Sequence, residues 1–223
     1  MRTILSSVSV ILLACACAFG TTTTLPGTGF DISGNPLAAG SVDPWWTLDH
    51  NPVDQTHNAY FIAPGTGNWW PGYIGNTNAA VFSGSGWIST DANSAYNGPA
   101  PYTFSMTFSL AGFDLNTVSI AGLWSIADGG ALAINGFVVD TLDQSTGPWG
   151  TMHSYTINNP AYLLQGTNVI SMTVQQSDQY YEAARFEGTL TGTQTAIPEP
   201  SNWLLVGSGV LGLAGVLRRK INL

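Results

Sequence analysis

The stretch ALAINGFVVDTL, residues 131–142, does most to limit what this chain can become. Two apolar runs flank Asn135-Gly136, a pair that tolerates the positive φ angles of a tight type I′ turn, so the stretch predicts a two-residue β-hairpin. The same period-two signal recurs on both sides. Phe104, Met106, Phe108 and Leu110 alternate with Thr103, Ser105, Thr107 and Ser109. Val118, Ile120, Trp124 and Ile126 continue the pattern, then Tyr155 and Ile157, then Ile170, Met172 and Val174, and finally the strand around Phe186 and Leu190. Alternation places one apolar and one polar face on each segment.

WWTL, AYFIA and GWIS predict further strands in the looser first half. PGTGNWWPGYIGNTN reads as a long loop. No segment carries apolar residues at helical spacing for three turns, so no helix is available to cover a sheet. The sheet must bury its apolar face against a second one, which predicts an all-β antiparallel sandwich or jelly roll over residues 41–193. The Thr-, Gly- and Pro-rich segment 21–40 reads as a leader into it.

Charge narrows the function. The net charge is −8, with only 5 Lys and Arg against 13 Asp and Glu. Outside the terminal segments the only basic residue is Arg185. Such a surface repels phosphate backbones and excludes nucleic-acid binding. It also argues against docking of the main domain on anionic lipid.

Arg2, the apolar run Val8–Ala18 and the small residues that follow form a secretory signal peptide over residues 1–20, with cleavage near Gly20. Both cysteines, Cys15 and Cys17, belong to it, so the mature domain has no disulfide.

The C-terminal 196–223 reads AIPEPSNWLLVGSGVLGLAGVLRRKINL. Residues 203–217 carry no charge and are apolar on every side, which does not suit a core helix. As a helix they would span about 22 Å, short beside a hydrocarbon core of ~30 Å. Trp203 at one edge and Arg218, Arg219 and Lys220 at the other extend the span as a single transmembrane helix. The basic cluster orients it with the main domain outside.

Pro198-Glu199-Pro200, a short apolar helix and the basic stop Arg218-Arg219-Lys220, in this order and spacing, resemble a PEP-CTERM sorting signal. The resemblance implies a Gram-negative host that makes exopolysaccharide, often as biofilm. It also implies an exosortase-type membrane protease as partner, cleavage near Pro198-Glu199-Pro200, and a mature protein at the cell surface or in the extracellular matrix after transient anchoring.

The run FDLNTVSIAGLWSIADGGALAINGFVVD, with LLQGTNVISMTV and ARFEGTLTGT, is similar to galactose-binding-like β-sandwiches. The shared elements are Asp128-Gly129-Gly130, the Asn135-Gly136 hairpin and the Gly166-Thr167-Asn168 turn. That resemblance implies ligands on loops at one end and, in many members, a structural Ca²⁺. Asp128 and Asp140 can supply oxygens for one, although each serves equally well as a turn or edge-strand carboxylate.

The chain contains no Gly-x-Ser-x-Gly, no His-Glu-x-x-His and no Walker-type loop. Asp178, Glu182 and Glu187 are the carboxylates a glycosidase or lyase would need, but the last two are expected to face opposite sides. Asp49, His50, Asp54 and His57 offer metal ligands or, more simply, a turn. Trp69, Trp70 and Tyr73 lie in the Gly/Pro-rich loop. Flat rings there stack on sugar faces or plug the open end of the sandwich. Trp45 and Trp46 are adjacent on a strand, so one of the two should face in and the other out. Arg185 is expected to pair with a nearby carboxylate such as Glu187 and to carry no special role. The sequence as a whole therefore reads as a non-enzymatic surface protein that binds carbohydrate or exopolysaccharide, with a purely structural role as the alternative.

Overall fold

Asn135 and Gly136 both take positive φ, 49° and 83°, and turn the chain between β7 (Gly130–Ile134) and β8 (Phe137–Leu142). This is the type I′ hairpin expected from the sequence. The computed structural model describes residues 18–49, 55–62, 84–92, 101–175 and 182–195, with positions 207, 209, 210 and 218. The other strands are β1 (Ala18–Leu25), β2 (Val42–Leu48), β3 (Asn58–Ile62), β4 (Trp87–Ser89), β5 (Tyr102–Ser109), β6 (Phe113–Ile126), β9 (His153–Ile157), β10 (Thr167–Val174) and β11 (Ala184–Thr195). The fold is all-β, and the ladders that join β2 to β11 are antiparallel.

The strands form one sheet in the order β8-β7-β10-β5-β2-β3-β4-β11-β6-β9, with β1 on β11. Two separate sheets were expected; here the short β3 and β4 carry the hydrogen-bond ladder from one half to the other. The halves nevertheless face each other. Trp46 of β2 packs on Phe186 of β11 with ring centroids 5.1 Å apart. Trp124 Nε1 of β6 donates to Asp140 Oδ2 of β8 at 2.7 Å, joining strands from opposite ends of the order.

Register explains which residues line the interior. Ile170 stands opposite Met106 and Ile134, and Met172 opposite Phe104 and Leu132, giving a continuous apolar stripe across β5, β10 and β7. On the other face Thr103 and Thr173 are cross-strand partners, their hydroxyls 3.0 Å apart. Trp46, Trp87, Trp124, Phe61, Phe104 and Phe186 are the largest fully buried side chains. Each such ring contributes roughly 2–3 kcal/mol on removal from water, which suits a fold without a disulfide.

Residues 21–40, expected to lead into the fold, are built into it. Leu25, Thr28 and Gly29 are buried. Thr28 N donates to Phe186 O at 3.0 Å, and Phe186 N donates to Thr28 Oγ1 at 3.0 Å. β1 itself pairs with β11.

Two compact units emerge. Gly20–Gln194 holds the sheet, and the other comprises Met1–Phe19 with Thr195–Leu223. In the latter, Gly207, Gly209, Val210 and Arg218 are helical. Among the described residues no helix is long and apolar enough to cross a membrane. Most of the expected span 203–217, the motif Pro198-Glu199-Pro200 and Arg219-Lys220 lie outside the described residues, as does the signal segment before Ala18.

Candidate functional site

Strand β2 begins Val42-Asp43-Pro44-Trp45-Trp46, and here strict alternation fails. The β2–β3 register shifts between Val42 and Thr47. Asp43 is the physical reason. Its buried carboxylate accepts from Trp45 N and Trp46 N at 2.9 Å each through Oδ1, and from Gly29 N at 2.6 Å through Oδ2. Pro44, between them, has no N–H to satisfy. The side chain thus takes over backbone groups that the ladder leaves unpaired. Burial pushes the Asp43 carboxyl above the usual carboxylate range, against the lowering effect of those three N–H groups.

The consequence is a division of labour between neighbours. Trp46 enters the core, its Nε1 donating to Pro26 O at 3.3 Å, and Trp45 stays half-buried at the surface. Trp45 forms one wall of a groove of about 410 Å³, together with Phe30, Ile32, Pro26 and Gly84. Asp31 stands on its rim. Asp31 Oδ1 accepts from Asn35 N and Ser33 N at 2.8 Å each. The Asn35 N–H, foremost among several donors, holds this exposed carboxyl below its usual range, so it is ionised at neutral pH. An aromatic wall beside an ionised carboxylate suits a polyhydroxylated ligand with one apolar face.

The residues named from the sequence fall elsewhere. Trp69, Trp70 and Tyr73 lie outside the described residues. Asp140 is occupied, its Oδ2 by Trp124 and its Oδ1 by Thr141 N at 2.9 Å. Asp128 sits in a turn at φ 64° and accepts from Gln144 Nε2 at 3.3 Å. Among the described residues no three His, Cys, Asp or Glu side chains converge as a metal would need. Asp49 Oδ1 accepts from Thr103 N, and His57 Nδ1 lies 2.8 Å from Leu48 O, so both engage main-chain groups; His50 and Asp54 lie outside the described residues. Gly20 is exposed within β1.

Arg185 reaches Glu187 through a third residue. Its Nε donates to Ser85 Oγ at 2.9 Å, and Ser85 Oγ donates to Glu187 Oε2 at 3.1 Å. Burial pulls the guanidinium below its usual range, and the charge of Glu187 acts the other way. Glu182 is fully buried. Neither glutamate lines the Trp45 groove, and Asp178 lies outside the described residues. Sequence reasoning missed Asp43 and Asp31. Both begin signals that could have been read, Asp-Pro and Asp-x-Ser-Gly-Asn, each favouring side-chain capping of a turn.

No family model and no curated protein matches this chain. Among solved structures, it is similar to a family 35 carbohydrate-binding module from Clostridium thermocellum, with 17% identity and a TM-score of 0.31 over 51% of this chain and 83% of that one. It is also similar to CBM35 from Cellvibrio japonicus Abf62, with 19% identity and a TM-score of 0.32 over 68% of this chain and 98% of that one. The isomalto-dextranase of Arthrobacter globiformis T6, complexed with panose, is 12% identical with a TM-score of 0.33, over 76% of this chain but 23% of the enzyme. TM-scores this low carry no argument about what the chain binds.

Proposed function

We propose that this chain is an exported bacterial surface protein whose sheet unit, of galactose-binding-like jelly-roll type, is a non-catalytic module for carbohydrate of the extracellular matrix. The observation that carries the binding reading is the groove of about 410 Å³ walled by Trp45 and Phe30, with the Asp31 carboxylate on its rim. Stacking on the indole supplies contact area, and the carboxylate accepts hydrogen bonds from hydroxyl groups.

Export rests on the terminal segments. A signal peptide delivers the chain, and the Pro198-Glu199-Pro200 tail, with its apolar span and Arg218-Arg219-Lys220, presents it to an exosortase-type protease.

A glycan array probed with the purified protein tests the binding. Retention of neutral or matrix polysaccharide that weakens about tenfold or more in Trp45→Ala supports it; a silent array overturns it and leaves the purely structural role. Deleting residues 198–223 tests the sorting, since unchanged localisation would refute that part.

A further inference from the structure

Phe137 and Tyr162 form a stacked pair at the end of the sheet, ring centroids 4.7 Å apart and planes inclined by 12°. Phe137 is 47% exposed with Tyr162 stacked on its ring. Val138 and Leu164 are 57% and 54% exposed. Beside Val138 and Tyr162 lies a hollow of about 150 Å³ that also takes in Asn158 and Asn159. Single exposed apolar residues are ordinary on protein surfaces; here Tyr162 packs on the core and holds a half-exposed Phe137 against itself beside a polar hollow.

The backbone beneath the pair is rigid. Asn135 Nδ2 donates to Tyr162 O at 2.7 Å and to Asn168 Oδ1 at 2.8 Å, and Asn135 Oδ1 accepts from Val169 N at 2.9 Å. Asn168, fully buried, accepts from Leu164 N and donates to Leu164 O and Gly166 O. Two asparagines therefore tie the hairpin turn that carries Phe137 to the loop that carries Tyr162. A surface held in place this way loses little conformational entropy when something binds to it.

Charge limits the occupant. The hollow is lined by no acidic or basic side chain. The only cation of the unit Gly20–Gln194, Arg185, is buried and bonded to Ser85. Nothing at this surface can neutralise an anionic polymer, and the net charge of −8 repels one. The remaining combination, a half-exposed aromatic ring beside asparagine side chains, fits an uncharged sugar ring, which offers C–H bonds on one face and hydroxyl groups at its edge.

We propose that the Phe137–Tyr162 shelf is a contact site for a neutral carbohydrate chain, separate from the Trp45 groove. It deepens the carbohydrate reading and rests on it. The test titrates the full chain with neutral hexasaccharides of glucose, galactose and mannose, and with a polyuronate, by calorimetry. Phe137→Ala, Phe137→Tyr and Trp45→Ala are compared at matched melting temperatures. Phe137→Ala should weaken binding of a neutral hexasaccharide about tenfold, and Phe137→Tyr should restore it.

Unchanged affinity in Phe137→Ala with loss in Trp45→Ala overturns the shelf and keeps the carbohydrate reading. No heat with any sugar overturns both. Binding of the polyuronate alone overturns the assignment to neutral sugars. Concentration-dependent self-association that Phe137→Ala abolishes would give the shelf to a second copy of the chain and overturn the proposal.

Discussion

The Asp43 carboxylate accepts the backbone N–H of Trp46 at 2.9 Å, and the same oxygen takes the N–H of Trp45. One side chain thereby fixes a tryptophan in the core and another on the groove wall. Asp43→Ala leaves these two donors and Gly29 N without their acceptor in a buried setting. The loss should be roughly 2–4 kcal/mol, read from denaturant midpoints. A midpoint shift near zero would mean that the bulge holds itself.

The same carboxyl should give a pH signature. Burial raises its folded-state pKa above the ordinary 3.8, so the folded protein holds the proton more tightly than the unfolded chain. Its contribution to stability is then fully present below 3.8, declines as pH rises through the window up to the raised value, and is constant above that. Asp31 and Asp143 are shifted downward and act in the opposite sense, but they are exposed and common to both proteins. The stability gap between wild type and Asp43→Ala should therefore be widest in acid and narrow toward neutral pH. A gap that widens with pH contradicts the assignment.

Gly188 faces Gly122 across β11 and β6, and the Tyr155 ring stacks on Phe186 beside them at 5.4 Å. A Cβ at Gly188 would collide with the Tyr155 hydroxyl, which donates to Glu187 O at 3.2 Å. Gly188→Ala should force that ring aside and destabilise the fold by about 1–3 kcal/mol. Adding Tyr155→Phe should recover part of the loss, because it removes the atom in the way. Equal melting temperatures for Gly188→Ala and wild type would show that the ring moves freely.

Truncation separates a leader from a strand. A chain beginning at Ser41 lacks Leu25 and Thr28 and leaves the Phe186 N–H and C=O without the partners Thr28 gives them. It should lose cooperative thermal unfolding by circular dichroism, whereas a chain beginning at Gly20 should keep it. Identical melting curves would return residues 21–40 to the status of a leader.

Much of the fold was legible because strands write themselves into sequence with period two. The Tyr102–Ser109, Phe113–Ile126 and Thr167–Val174 strands have buried positions at the alternating sites that the pattern marks, and Asn135-Gly136 turns where its φ preference says it must. The segment 21–40 was opaque for the opposite reason. Its Thr and Gly residues are held by main-chain bonds and by Thr28 Oγ1, none of which needs an apolar pattern. Adjacency showed that one of Trp45 and Trp46 faces out, but not which one, nor that Trp45 walls a groove, because Phe30 and Gly84 join it only through folding.

The sequence alone determined the all-β antiparallel architecture, the core stripes and the charge that turns anionic partners away, since these depend on local periodicity and composition. Tertiary structure decided that one sheet rolls to bring Trp124 onto Asp140, that β1 closes against β11, that Trp45 walls a groove, and that Phe137 stacks on Tyr162. Those relations join residues distant along the chain, and no local preference encodes such distances.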